Sequence, residues 1–398
     1  MAIQVLAENV VAQIAAGEVV ERPASVVKEL LENALDAGAE NIHVAVNGGG
    51  QRMIRISDDG MGIPATEVEL AFTRHATSKL ETVDDLMSLI TLGFRGEALS
   101  SVASVSRLTV TTRHRDEKMG TKLRLEGGQL LQRQAVGAPV GTVITVENLF
   151  YNTPARLKFL KGENTEKRQI ASIVTRYAMA YPQVRFVLEQ DGREAFRSNG
   201  SGQLADVLVA ALGLDSFRNM VEVQSEDDVR AEIPVRVFGY TSMPGLNRAD
   251  RSHITLFVNG RWIHDSTLTF AITQAYHTFL MTGRHPVTVL MIELPTDEVD
   301  VNVHPTKAEV RFRDSGIVFE AVQRAVRRAV VELAQTPTVR GGRYAGLSTS
   351  PLTHEEEMAQ RENEFDPLGA GRDLQLDMDL PLQSPGQHAR RWNAEERE

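Results

Sequence analysis

The sequence predicts an α+β protein: a two-layer α/β sandwich, then a smaller α/β domain, then a disordered tail. Three observations carry this expectation. Helical and strand-like periodicities intermix over the first 205 residues without strict alternation, which suits a sandwich better than a doubly wound sheet. A second set of strands around a helix follows from about residue 206. From about Thr336 the chain turns to Pro, Gly, Ser and Glu, with seven Lys/Arg against twelve Asp/Glu, a composition that buries too little apolar surface to fold.

Taken in order, residues 1–205 open with helical segments at 9–16 and 23–36. Strand-like alternation follows at 42–46 and 53–56, and again at 108–112, 122–125 and 143–146. A helix near 167–180 and a strand at 184–189 close this part. In residues 206–335, strands at 235–240, 254–258, 287–294 and 310–312 flank a helix near 266–278. Val322, Val326, Val330 and Leu333 then fall at helical spacing. Residues 336–398 are expected to be a disordered linker. No internal repeat is present.

Composition narrows the chemistry. The chain has 398 residues, 42% of them hydrophobic, enough for packed cores, and only 6% aromatic, so those cores are aliphatic. It has no cysteine, which excludes disulfides, thiolate metal sites and a cysteine nucleophile. A net charge of −10 argues against a simple nucleic-acid coat. It leaves room for a local basic groove. No signal-peptide layout and no apolar run near ~18 residues occurs, so a cytoplasmic protein with no membrane partner is expected.

Three strings hold candidate chemistry. Pro23 suits the first turn of a helix and Gly38 its stop. Between them Val26, Val27, Leu30, Leu31 and Ala34 make an apolar stripe, which leaves Glu29, Asn33 and Asp36 together on another face at i, i+4 and i+7. Glu29 suits a proton acceptor for an attacking water. Asn33 offers a neutral oxygen to Mg²⁺, a hard ion that takes few protein ligands. An ordinary solvated face has the same pattern.

Asp58-Asp59-Gly60-Met61-Gly62 follows a strand. Asp58 at the strand end suits an acceptor for an adenine amino group, with Gly60 and Gly62 letting backbone approach a flat ligand. A hairpin turn is the competing reading of Asp-Gly. Thr77, Ser78 and Lys79 precede Gly93-Phe94-Arg95-Gly96-Glu97-Ala98-Leu99, a glycine-hinged loop running into a helix near Glu97. Backbone N–H groups at such a start cradle anions, and the glycines suit a mobile lid. A flexible connection between helices is the plainer reading. No Gly-x-x-x-x-Gly-Lys-Ser/Thr string occurs, so a P-loop is excluded.

Together with Gly141-Thr142 before a strand, these strings resemble the four-motif ATP site of the GHKL fold, shared by gyrase B subunits, heat-shock chaperones, histidine kinases and MutL proteins. The stretches 13–25, 93–99, 149–156 and 299–307 resemble the MutL family in particular, and the resemblance covers residues 1–335. It implies an ATP-dependent DNA mismatch repair protein: ATP drives dimerisation of the N-terminal parts and hydrolysis resets it. It implies Mg²⁺ and ATP as cofactors, Glu29 as general base, Asn33 as metal ligand and Asp58 as adenine reader with Gly60, Gly62 and Thr142. Thr77, Ser78 and Lys79 would lie near ribose and phosphates, and Gly93, Phe94, Arg95, Gly96, Glu97, Ala98 and Leu99 would form the lid. Lys307 would reach the γ-phosphate from a ribosomal-protein-like second domain. Sequence-independent DNA, a second copy of the chain, the mismatch-recognition protein MutS and a downstream nuclease or helicase are the implied partners. Arg248, Arg251, Arg261 and Arg284 are candidate DNA phosphate contacts, though each is equally readable as a solvated arginine. The family's metal-dependent nuclease motif has no counterpart here, so no nuclease activity is expected.

Overall fold

The structure, a computed structural model, describes residues 14, 16, 17, 19–79, 91–93, 96–225, 233–300 and 310–335, the last three as backbone. Phe94, Arg95, Lys307, the expected tail and most of the expected helix at 9–16 lie outside the described residues.

Helix α1 (Pro23–Asp36) begins at the proline and closes where Ala37 donates its N–H to Asn33. Its stripe of Val26, Val27, Leu30, Leu31 and Ala34 is buried. Each such aliphatic side chain contributes about 1.5–3 kcal/mol, so burial outweighs the few tenths from surface pairs. Beneath it runs a sheet of eight strands among the described residues: β1 (Asn41–Asn47), β2 (Met53–Asp58), β3 (Arg107–Arg113), β4 (Gly120–Glu126), β5 (Gln129–Val136), β6 (Gly141–Glu147), β7 (Arg185–Gln190) and β8 (Arg193–Arg197). Their order is β5-β4-β3-β6-β2-β1-β7-β8, antiparallel except for the β1–β7 pair.

Burial alternates along β1, β3 and β6, the period-2 signature of a sheet with one face against a core. Helices α2 (Ala98–Ser104), α3 (Pro154–Phe159) and α4 (Glu163–Ala180) complete this part, and α4 lies against α1. The result is the expected two-layer α/β sandwich. Gly48–Gly50 forms a short 3₁₀ turn between β1 and β2.

After α5 (Leu204–Leu212) and α6 (Leu214–Arg218) comes a second sheet, built from β9 (Met220–Gln224), β10 (Arg236–Ser242), β12 (Ile254–Val258), β13 (Arg261–Ile263) and β15 (Thr288–Glu293) in the order β13-β12-β15-β10-β9. β11 (Asn247–Arg248) pairs with β14 (His285–Pro286), and β16 (Val299–Asp300) with β17 (Arg311–Phe312). Helices α7 (Ser266–Ala275) and α8 (Ser315–Gln335) pack on each other and on this sheet. Asp265 caps α7 by accepting the Leu268 N–H at 2.8 Å. The second sheet has its own core around Val237, Leu256, Ile272 and Val326, while Phe257, Val289 and Met291 join the core of the first. Residues 1–337 form one unit.

Candidate functional site

α1 delivers the first group of site residues. Asp36 sits at its last turn and accepts three donors. The N–H groups of Leu92 and Gly93 reach its two oxygens at 2.9 and 3.0 Å, and the Lys79 ammonium lies 2.5 Å away. Lys79 also donates to Asn33 Oδ1 at 3.1 Å. An amide oxygen and a carboxylate thus converge on one cation beside Gly93. Thr77 Oγ1 accepts the Lys79 N–H at 3.1 Å, which fixes the Thr77-Ser78-Lys79 turn. Gly96, at φ +65°, packs against Ala76, and Glu97 precedes α2, on which Ala98 and Leu99 lie. His75 stands 3.3 Å from Glu97, an ion pair when the imidazole is protonated.

Glu29, one turn before Asn33, is mostly buried, and Lys28 lies 3.2 Å from it. Lys28 also reaches Glu32 at 2.8 Å. Glu32 is buried and accepts the Tyr177 hydroxyl of α4 at 2.6 Å. Burial works to lower the Lys28 pKa, but the carboxylates of Glu29 and Glu32 outweigh it and hold the ammonium charged. Burial, with Glu32 adding to it, pushes the Tyr177 phenol well up.

The second group stands at the end of β2. Asp58 pairs in register with Thr142 of β6, accepts the Gly60 N–H at 3.0 Å and is pushed up to about 6 by burial. Thr142 is buried, with its hydroxyl 3.0 Å from that of Thr112. Asp59 turns the other way. Burial would raise it, but hydrogen bonds from Asn41 and Glu40 prevail and hold it below the usual carboxylate range. Those bonds pin the loop to the start of β1. Among the described residues no strand follows Asp58 before Arg107, and none lies in 59–79, so Asp58–Gly62 is not the hairpin turn that Asp-Gly allowed. Gly62 has φ +74°, and a Cβ there would lie 2.1 Å from the Arg113 carbonyl oxygen.

The four arginines separate. Arg248, Arg251 and Arg284 are exposed. They gather at the β11–β14 ribbon, where Arg248 pairs in register with His285. His285 is lowered by burial and by Arg251. Arg261 does not join them. It is only 7% exposed and donates through Nη2 to the Thr91 carbonyl at 3.1 Å, so its head is turned inward, away from any surface groove.

A half-buried acid at a strand end, a glycine-lined approach and a cation held by a helix amide are what comparison with known proteins explains. Residues 21–136 match the family described as histidine kinase-, DNA gyrase B- and HSP90-like ATPase, and residues 208–331 match DNA mismatch repair protein, C-terminal domain. A solved Aquifex aeolicus MutL ATPase domain complexed with ADP is 31% identical, with a TM-score of 0.52 over 70% of this chain and 93% of that one. The chain belongs to the MutL family. A DNA mismatch repair protein MutL from Geobacter sulfurreducens is 51% identical over 340 residues, 85% of this chain and 54% of the relative. One from Desulforamulus reducens is 42% identical over 384 residues, 92% of this chain and 59% of that one. The crystal structure of the N-terminal domain of a DNA repair protein superposes with a TM-score of 0.70 at 25% identity, over 81% of this chain and 98% of that one. The chain spans just over half the length of these MutL relatives.

The MutL-family chain therefore carries a GHKL-type ATPase fold. The described residues bring Asn33, Lys79 and Gly93 together and set Asp58 against Gly60 and Thr142. They leave Phe94, Arg95 and Lys307 unplaced. Sequence reasoning put Asp36 on the right helix face without its role as the anchor for residues 92–93. It missed the Lys28–Glu32–Tyr177 chain, because the Tyr177–Glu32 hydrogen bond joins two helices 145 positions apart and leaves no periodic trace. It misread Arg261, although Asn259-Gly260 between two apolar runs is a strong hairpin signal and marks Arg261 as a strand residue.

Proposed function

We propose that this chain is the ATP-binding and ATP-hydrolysing part of a DNA mismatch repair protein, working as a nucleotide-driven dimerising switch. The observation that carries the reading is Asp58: a half-buried acceptor at a strand end, beside Gly60, Gly62 and Thr142, suited to the exocyclic amine of adenine. The Asn33–Lys79–Asp36 cluster supports a phosphate end at the last turns of α1, since its oxygens already gather round a positive charge. In this reading Glu29 takes the proton of the attacking water, and Asn33 holds Mg²⁺ through its amide oxygen. The ion, when bound, neutralises phosphate charge. Lys79 and the backbone from Gly93 to Leu99, with Thr77, Ser78, Phe94 and Arg95, enclose the phosphates. Lys307 reaches the γ-phosphate from the second sheet, which we take as a separate domain beginning near residue 206.

Duplex DNA of any sequence binds the ribbon that bears Arg248, Arg251 and Arg284, and a second copy of the chain docks when ATP is bound. The named relatives are repair proteins, so a mismatch-recognition protein and a downstream nuclease or helicase are the expected partners. Steady-state phosphate release, measured with and without Mg²⁺ and DNA, tests this. Mg²⁺-dependent turnover is expected. Nucleotide binding with no turnover in any condition would leave an adaptor that recruits partners without hydrolysis.

A further inference from the structure

The turn between β12 and β13 is made by Asn259 and Gly260, both with positive φ, +48° and +77°. This is the pattern of a tight two-residue hairpin, and Asn259 fixes it by bonding both the N–H and the carbonyl of Leu294. The hairpin belongs to the second sheet, but its tip rests on α4 and the segment after it. A Cβ on Gly260 would lie 3.1 Å from the Tyr181 hydroxyl. The Arg176 guanidinium lies 4.3 Å over the ring of Trp262.

Arg261 extends this contact toward the site. Its Nη2 holds the Thr91 carbonyl at 3.1 Å, and its Nη1 is buried without a hydrogen-bond partner among the described residues. The next two residues, Leu92 and Gly93, give their N–H groups to Asp36, the carboxylate that also binds Lys79. Three consecutive residues are therefore held between a charged side chain of α1 and a charged side chain of the second sheet. A buried guanidinium with one neutral acceptor is under-satisfied, so it follows the carbonyl it has or loses its compensation. Tyr181 places the two charges near each other. Burial pushes its phenol up to about 12, Asp36 and Glu32 push the same way, and Arg261 pulls back.

We propose that Arg261 is a positioning residue that couples the Thr91–Gly93 segment, and with it the phosphate end of the nucleotide, to the second sheet. The proposal rests on ATP occupying the Asp58 pocket. With phosphates and Mg²⁺ bound, Asn33 and Lys79 would turn toward them, and the bonds on Asp36 would redistribute. The segment shifts, and Arg261 carries that shift into the β12–β13 hairpin. Coupling of this kind requires contacts that differ between the two states, and the unpartnered Nη1 has room for one more acceptor.

Hydrogen exchange on the whole 398-residue chain tests it, read at residues 91–93 and 256–263 with ADP and with a non-hydrolysable ATP analogue plus Mg²⁺. In the wild type the analogue slows exchange at both places more than ADP does. In Arg261→Ala the response at 91–93 persists, ADP affinity stays within about threefold, and the response at 256–263 falls by about tenfold or more, the scale of a charge-assisted hydrogen bond. A hairpin that responds in Arg261→Ala as in the wild type overturns the proposal, and so does one that ignores the analogue in the wild type. Should the alanine variant not fold, Arg261→Lys keeps the charge but loses the forked donor. Its hairpin response should also fall, and an unchanged response overturns the proposal. Failure of the wild type to bind ADP would remove the nucleotide reading itself, whereas ADP binding without a hairpin response removes only the role of Arg261.

Discussion

A carboxylate that accepts a hydrogen bond from an exocyclic amine works best when ionised, and burial opposes ionisation at Asp58. The folded protein holds this carboxyl at about 6 against an ordinary 3.8, so it binds a proton between those values that the unfolded chain releases. Its ionised form therefore costs folding free energy: stability from this group is greatest at low pH and is lost as pH rises toward 6 and stays lost above it. A difference of about two pH units corresponds to on the order of 3 kcal/mol as an upper figure. Asp58→Asn should then raise the urea midpoint at pH 7.5 while weakening ADP by about 10- to 100-fold, the scale of a hydrogen bond to a charged acceptor. Titration calorimetry of the wild type from pH 5 to 8 should show ADP affinity falling below about pH 6. A flat profile would take Asp58 out of the binding site.

Glu29 has a different signature. It lies on the wall of the site, close to Lys28, and a general base contributes about 10²- to 10⁴-fold to rate. Glu29→Ala should lose turnover by that factor and keep ADP affinity. Normal phosphate release from this variant would assign the proton to another group.

At the scale of elements, the site is a place where helices and strands are tied by buried polar bonds as well as by apolar packing. Tyr177 joins α4 to α1 by donating to Glu32, a carboxylate only 2% exposed. Tyr177→Phe keeps the ring and deletes the donor, so it should cost about 1–3 kcal/mol, read by denaturant unfolding, with the slope unchanged. A loss below about 0.5 kcal/mol would mean that Glu32 is satisfied without the Tyr177 hydroxyl. Gly62→Ala strikes the loop after β2. It places a Cβ where the Arg113 carbonyl stands and asks alanine to adopt φ +74°, and should cost about 2–4 kcal/mol, again by denaturant unfolding.

At the scale of the molecule, the net charge of −10 and the exposed arginines at the β11–β14 ribbon confine the proposed DNA binding to one locality. Affinity should fall with salt by about 0.9 log units per log unit for each phosphate neutralised on duplex DNA. The combined Arg248→Ala, Arg251→Ala, Arg284→Ala variant should flatten that slope by about 2 to 3, measured by fluorescence anisotropy across a salt series. An unchanged slope would move the DNA contact off the ribbon. A non-hydrolysable ATP analogue should also convert residues 1–335 from monomer to dimer in sedimentation, a two-fold contact being the default geometry. A monomer at saturating analogue would remove the switch.

The sequence by itself determined the local parts of this protein. Pro23, the 3.6-residue stripe of Val26 to Ala34, and Gly38 delimit α1 at Pro23–Asp36, as its geometry shows. Alternation at 42–46, 122–125 and 143–146 locates β1, β4 and β6 to within a residue or two. These signals are short-range, since burial on one side of an element writes a period into neighbouring residues. β5 escaped because it is exposed on both faces and so has no period to write. What a helix face meets was decided only by tertiary structure. Asp36 meets Leu92 and Gly93 across 56 and 57 positions, Glu32 meets Tyr177 of another helix, and Arg261 meets Thr91 across 170. Such pairs depend on how sheets and helices stack, and a charged side chain is spelled the same whether it ends in water or against a buried carbonyl. That is why Arg261 reads in the sequence as a surface cation, and why its place beneath the site comes only from the fold.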